Sequence, residues 1–180
     1  MIDIGKLYCG GSSTGDGLRY GTEAPSDAHG NAPHRRETLA SDRRPIVVWS
    51  TTRSCNLSCV HCYTDSANIK YGGELDTGEG IRLVDDLASF RVPSLLFSGG
   101  EPLMRKDLFR LIEHASNAGI RPVISTNGTL IDREAANSIR NAGVTYVGIS
   151  LDGMEEINDR FRGMKGAFSK AMKGFEHCIA

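Results

Sequence analysis

Four times between residues 46 and 180, a short apolar or β-branched run gives way to an amphipathic stretch. This alternation limits the possible folds more than any other feature of the chain. The runs are IVVWST (46–51), PSLLFSGG (93–100), IRPVIST (120–126) and VTYVGISLD (144–152), each short with an apolar or β-branched centre, as strands are. After the first, Asp76 and Thr77 can cap a helix to about residue 90, with Ile81, Val84, Leu87 and Ala88 on one face. After the second, a helix from about 106 to 117 carries the stripe Leu108, Leu111, Ile112 and Ala115, and Gly119 stops it. REAANSIRNAG (133–143) is the third helix, again closed by glycine, and a fourth begins near Gly166. Strands that alternate with helices in this way lie parallel, because each helix is the crossover to the next strand. The expected class is α/β, with about four β-α units.

Residues 10–44 differ. They are rich in Gly, Ser, Asp, Pro and Arg and show no sustained period, so 1–44 is read as an irregular N-terminal arm and 45–180 as the folded part. The net charge of -1 on 180 residues gives no field that would collect nucleic acid or an anionic membrane. No run approaches 18 apolar residues, and the N-terminus lacks the pattern of a secretory signal. Five cysteines, three of them crowded together, fit a reducing compartment, hence the cytoplasm, and a metal or redox role rather than a disulfide framework.

The unusual residues follow the strands. After the first come Cys55, Cys59 and Cys62, spaced C-x3-C-x2-C; after the second SGGEP, after the third STNGT, after the fourth SLDG. In parallel α/β folds the loops at the carboxyl ends of the strands emerge on one face, so these four form one candidate site. Three thiolates suit a cubane iron–sulfur cluster with one iron left open. A structural zinc site, with Cys9, Cys178 or His61 as fourth ligand, is the competing reading, but zinc loops usually come as two C-x2-C knuckles and there is no second one. Buried thiols are the third reading, against which stand the polar flanks Arg53, Asn56, Ser58 and His61. In SGGEP, Gly99 and Gly100 would let backbone approach a ligand, and Glu101 offers a carboxylate to an ammonium group.

The cysteine spacing together with GGEP one unit later resembles the radical S-adenosylmethionine (SAM) superfamily. The resemblance implies a partial (β/α) radical SAM barrel in which Cys55, Cys59 and Cys62 bind a [4Fe-4S] cluster. SAM then chelates the fourth iron, and one electron cleaves it to methionine and a 5′-deoxyadenosyl radical. It further implies that Gly99, Gly100 and Glu101 meet the methionine end and that His61 lies near the adenine. Ser125, Asn127, Ser150 and Asp152 would line the site. A low-potential electron donor is implied as partner. KLYCG, LRYG, VVWSTTRSCNLSCVHCY, STNGTLID, YVGISLDG and NDRFRGMKGAFSKAMKGFEHC resemble the tetrapyrrole-modifying branch. Within that branch the implied substrate is an iron tetrapyrrole, 12,18-didecarboxysiroheme, which loses acetate side chains in haem biosynthesis. Peptide-modifying relatives of the SPASM type share the core pattern, so a peptide substrate is the alternative. A non-catalytic iron–sulfur-binding fragment is the other.

Members of the branch are about twice as long and have six β-α units, so the chain is expected to be the first part of a barrel with an open edge after strand four. Cys178, on an amphipathic helix, reads as a core residue, whereas Cys9 has no assigned role. HRRE, SDRR, Arg160 and Arg162 offer either contacts to substrate carboxylates or solvated ion pairs.

Overall fold

The computed structural model describes residues 44–180. The expectations for the arm, for Cys9 and for HRRE lie outside the described residues. Four strands, β1 (Val47–Ser50), β2 (Ser94–Ser98), β3 (Arg121–Thr126) and β4 (Tyr146–Ile149), form one sheet in the order β1-β2-β3-β4. Every neighbouring pair is parallel. Helices α1 (Thr77–Ser89), α2 (Leu108–Asn117) and α3 (Arg133–Asn141) are the crossovers between them. Two more follow β4: α4 (Glu155–Arg162) and α5 (Ala167–Ile179).

Strand register explains the core. Trp49 pairs with Phe97, Phe97 with Ile124 and Ile124 with Val147, so one apolar row crosses the whole sheet. Side chains alternate faces along a strand, and this row faces the helices. Phe97 and Ile124 have no exposed surface, nor do Leu108, Leu111 and Ile112 of α2 or Val84 of α1. Burying each such side chain stabilises the fold by about 1.5–3 kcal/mol. The opposite face carries the row Val48–Leu96–Val123–Tyr146, of which Val48 and Tyr146 are exposed.

Local signals set the helix ends. Asp76 accepts from the Glu79 N–H while the Glu79 carboxylate accepts from the Asp76 N–H, a complete capping box. Asp132 caps α3 through the Ala135 N–H. Gly119 and Gly143, with φ of 81° and 82°, take the left-handed conformation that ends α2 and α3.

The fourth unit departs from expectation. The helix after Gly166 is present, but α4 precedes it over residues that the sequence reading assigns to no element. Its sequence, EEINDRFR, is strongly polar, with only Ile157 and Phe161 apolar, and Met154 at its start provides no side-chain cap. The available signals were weaker: that i,i+4 apolar pair, acids in the first turn, arginines in the last and Gly163 at the C-cap.

Candidate functional site

The four loops expected on one face do meet, and the cysteine loop is where they meet. Residue Thr51 donates both its N–H and its hydroxyl to the Ser98 carbonyl, at 2.8 and 2.9 Å. The Gly100 N–H bonds Thr52 O at 2.7 Å and the Glu101 N–H bonds Ser54 O at 2.8 Å, so the GGEP turn runs directly under residues 52–54. From the third loop, Asn127 Nδ2 donates to Asn56 Oδ1 and Asn56 Nδ2 donates to Thr129 Oγ1, each at 2.9 Å. From α4, Phe161 O accepts from the Val60 N–H at 2.9 Å and Arg162 O from the Ser58 N–H at 3.3 Å.

The two glycines of GGEP have a physical reason within the fold itself. A Cβ on Gly99 would sit 2.2 Å from Thr52 O, and one on Gly100 would sit 2.4 Å from Ser54 O and 2.5 Å from Arg53 O. Gly99 also has φ of 142°. The space a side chain would need is filled by the protein's own backbone, one residue before Cys55.

Glu101 is fully buried. Its Oε1 accepts from the Leu103 N–H (3.0 Å) and the Thr126 hydroxyl (2.8 Å), and its Oε2 accepts from the Asn127 N–H (2.8 Å). Burial pushes its pKa up, against the pull of these donors. The carboxylate thus ties the second loop to the third and leaves one lone pair on Oε2 uncommitted.

The three thiols have unequal surroundings. Cys55 is buried, and burial raises its pKa although the Leu57 N–H bonds the sulfur at 3.4 Å. Cys59 and Cys62 are half-buried. For Cys62, burial opposes ionisation, but the Ser66 N–H and the Thr64 hydroxyl prevail and bring the pKa down to about 7. Cys59 Sγ lies 3.9 Å from Arg162 Nη1, and Cys55 Sγ lies 4.0 Å from Asn127 Nδ2. Among the described residues, no three His, Cys, Asp or Glu side chains stand close enough to share one metal ion. Four sulfurs on one zinc would be drawn to within about 4 Å of one another by bonds near 2.3 Å. Cys178, half-buried, packs against the hydrophobic core, with its pKa raised by burial.

The remaining expected residues ring this loop. The exposed His61 has Nε2 3.5 Å from Asp152 Oδ2 and its ring 5.8 Å from that of Phe161. Arg162 Nε approaches the same Asp152 oxygen to 2.7 Å. Ser125 pairs in register with Gly148, on the sheet face away from the helices, and Ser150 follows two residues later, its N–H bonding Thr126 O at 3.0 Å. Sequence reasoning missed Glu74, Thr126 and Thr129. Glu74 accepts from the Thr52 hydroxyl and the Arg53 N–H, yet nothing local marks it, because its partners lie some twenty residues away. Thr126 and Thr129 stand inside the STNGT stretch, which was the available signal.

Comparison with known proteins defines the class. The family model described as the radical SAM superfamily matches residues 49–180. The chain belongs to the radical SAM superfamily, whose cofactors are a [4Fe-4S] cluster and SAM. It is 53% identical over 178 residues to the Fe-coproporphyrin III synthase of Methanosarcina barkeri, covering 99% of this chain and 43% of that one. It is 44% identical over 135 residues to the pre-heme d1 synthase of Dinoroseobacter shibae, covering 75% and 33% respectively. A solved structure described as native anSMEcpe with bound AdoMet superposes with a TM-score of 0.61 at 28% identity, covering 74% of this chain and 40% of that one. The chain thus spans less than half the length of these relatives.

The donor set fits the family's cluster. Thiolates are its ligands, and here N–H or hydroxyl groups lie against each of the three sulfurs.

Proposed function

We propose that this chain supplies the cluster- and SAM-binding part of a radical SAM enzyme that acts on an iron tetrapyrrole. The favoured substrate is 12,18-didecarboxysiroheme, which would lose acetate side chains in haem biosynthesis. The observation that carries this reading is the 53% identity to an Fe-coproporphyrin III synthase, sustained over nearly the whole chain and not only over the cysteine motif. The arm, residues 1–44, and the barrel part, 45–180, are taken as separate units. Cys55, Cys59 and Cys62 are the residues proposed to hold the cluster, which when bound supplies one electron for reductive cleavage of SAM.

Each remaining residue has a task in this scheme. Gly99 and Gly100 hold the turn flush against the cysteine loop and Glu101 fixes that turn to the third loop; the turn is proposed to meet the methionine end of SAM. Asn127 supports the loop through Asn56, and Ser125 and Ser150 contribute small hydroxyls on the sheet face away from the helices. His61 and Asp152, on the exposed side, are proposed to line the adenosyl end. A low-potential one-electron donor is the implied partner. The described residues contain no helix long and apolar enough to cross a membrane, and a cytoplasmic location is proposed.

The test is anaerobic reconstitution with iron and sulfide, then incubation with SAM, a reductant and 12,18-didecarboxysiroheme, with product mass read out. Loss of two acetate units supports the reading, and SAM cleavage with an unchanged tetrapyrrole points to a peptide substrate instead. Changing Cys55, Cys59 or Cys62 singly to Ala should abolish the iron–sulfur absorption of this site. A variant that kept its full iron and sulfide there would remove the cluster assignment.

A further inference from the structure

The helix that the sequence did not announce reaches back to the cysteine loop with one charged side chain. Arg162 is the last residue of α4, and its side chain is only 12% accessible. Its Nη1 donates to Cys59 Sγ at 3.9 Å, and its Nε lies 2.7 Å from Asp152 Oδ2. That second contact is close but not aligned as a hydrogen bond, so Nε has no aligned acceptor. A guanidinium stays charged at every relevant pH, so a permanent positive charge lies beside one of the three sulfurs.

The placement is built rather than incidental. The Arg162 carbonyl accepts from the Ser58 N–H and the Phe161 carbonyl from the Val60 N–H, so the backbone of α4 flanks Cys59 on both sides. A Cβ on the next residue, Gly163, would lie 2.2 Å from Ser58 O, so the approach is as close as backbone permits. Asp152 is held in turn: its N–H bonds the side chain of Asn158, which is 1% exposed and also on α4. His61 stands 3.5 Å from the same Asp152 oxygen.

We propose that Arg162 is a tuning residue for the Cys59 thiolate and that Asp152 moderates it, the pair together setting the reduction potential of the cluster. This rests on the cluster reading above. Reduction adds negative charge to a cluster, and a nearby cation or hydrogen-bond donor stabilises that charge, raising the potential. Asp152 offsets part of the guanidinium charge, so it lowers the potential. The two residues therefore act with opposite signs.

The experiment is a redox titration of the anaerobically prepared protein and its variants without SAM. It follows the paramagnetic signal of the reduced cluster that disappears in Cys59→Ala. Poised at the wild-type midpoint, Arg162→Gln should lower the ratio of reduced to oxidised cluster by about tenfold, equivalent to a shift of about 59 mV for a one-electron couple. Arg162→Lys should fall between the two, because it keeps the charge but not the fork. Asp152→Asn should move the ratio the other way, towards the reduced form. A contact that served only to hold the loop in place would not give shifts of opposite sign. Unchanged midpoints, or shifts of the same sign in Arg162→Gln and Asp152→Asn, overturn the proposal while leaving the cluster reading intact. A wild-type protein with no signal dependent on Cys59 overturns both.

Discussion

The cysteine loop and the GGEP turn touch along residues 52–54, yet they are built on opposite principles. The turn is closed: Glu101 is fully buried with three donors on its carboxylate, and neither glycine has room for a methyl group. The loop is open: Cys59 and Cys62 are half-buried, Val60 is 72% exposed and Tyr63 is 85% exposed. Much of the loop's support comes from outside it, through backbone contacts to the turn, to β2 and to α4. The contrast shows a division of labour. The segment that carries the thiols is left accessible from Cys59 onward, although Cys55 is buried, and the neighbour that carries no thiol is the one closed by buried contacts. A loop braced in this way keeps its geometry only while its neighbour does.

That division can be broken most severely at Gly100. Gly100→Val would drive side-chain atoms into Arg53 O and Ser54 O, neither of which can move without moving Cys55. We expect a stability loss of about 3 kcal/mol or more, together with failure to incorporate iron. Thermal unfolding and iron analysis check this. Wild-type melting with a full cluster would mean that the turn does not support the loop.

Next in size is Glu101→Ala. It strands the Asn127 and Leu103 N–H groups and the Thr126 hydroxyl in a buried space, at a cost of about 3 kcal/mol. Glu101→Gln should lose less, because one amide oxygen can still face Leu103 and Thr126. Equal chemical denaturation curves for Glu101→Ala and wild type would show that the carboxylate's role lies wholly in ligand binding.

The loop's other brace should yield more gently. Gly163 has φ of 66° and backs onto Ser58 O. Gly163→Ala forces an L side chain into the left-handed region, at a cost of about 1–2 kcal/mol from conformation alone, and its clash with Ser58 O adds to this as α4 is pushed away from the loop. Amide exchange at Ser58 and Val60, whose N–H groups bond α4, should accelerate. Unchanged exchange there would remove α4 from the loop's support.

The smallest effect is a pH dependence at the α4–α5 junction. The N–H groups of Phe168 and Gly166 bond the Asp159 carboxylate and hold its pKa below the ordinary aspartate value. A depressed folded pKa contributes stability above the ordinary value, about 3.9, and that contribution is lost as pH falls through the folded value. Protection of the Gly166 and Phe168 amides, taken relative to the intrinsic exchange rate at each pH, should therefore fall on acidification below about pH 4, and Asp159→Asn should flatten that fall. An identical pH profile in the variant would sink this assignment.

The sequence by itself determined the β-α order, the core and the place of the site. Periodicity and glycine stops are local signals, and the apolar row from Trp49 to Val147 needs only alternation within each strand to face one way. The cysteine spacing and GGEP likewise lie within single loops and could be read directly. Only the tertiary structure decided what those loops do to one another. It set the GGEP glycines against the backbone of residues 52–54, and it committed Glu101 to Thr126 and Asn127 across 25 and 26 residues. It also formed α4 from a stretch with little apolar signal, and set Arg162 against a cysteine 103 positions earlier. The physical reason is common to all four. Local pattern fixes the strongly periodic elements, whereas a weakly patterned helix, and a side chain's hydrogen bonds and clearance, depend on groups far away in sequence, which only the packed sheet brings within reach.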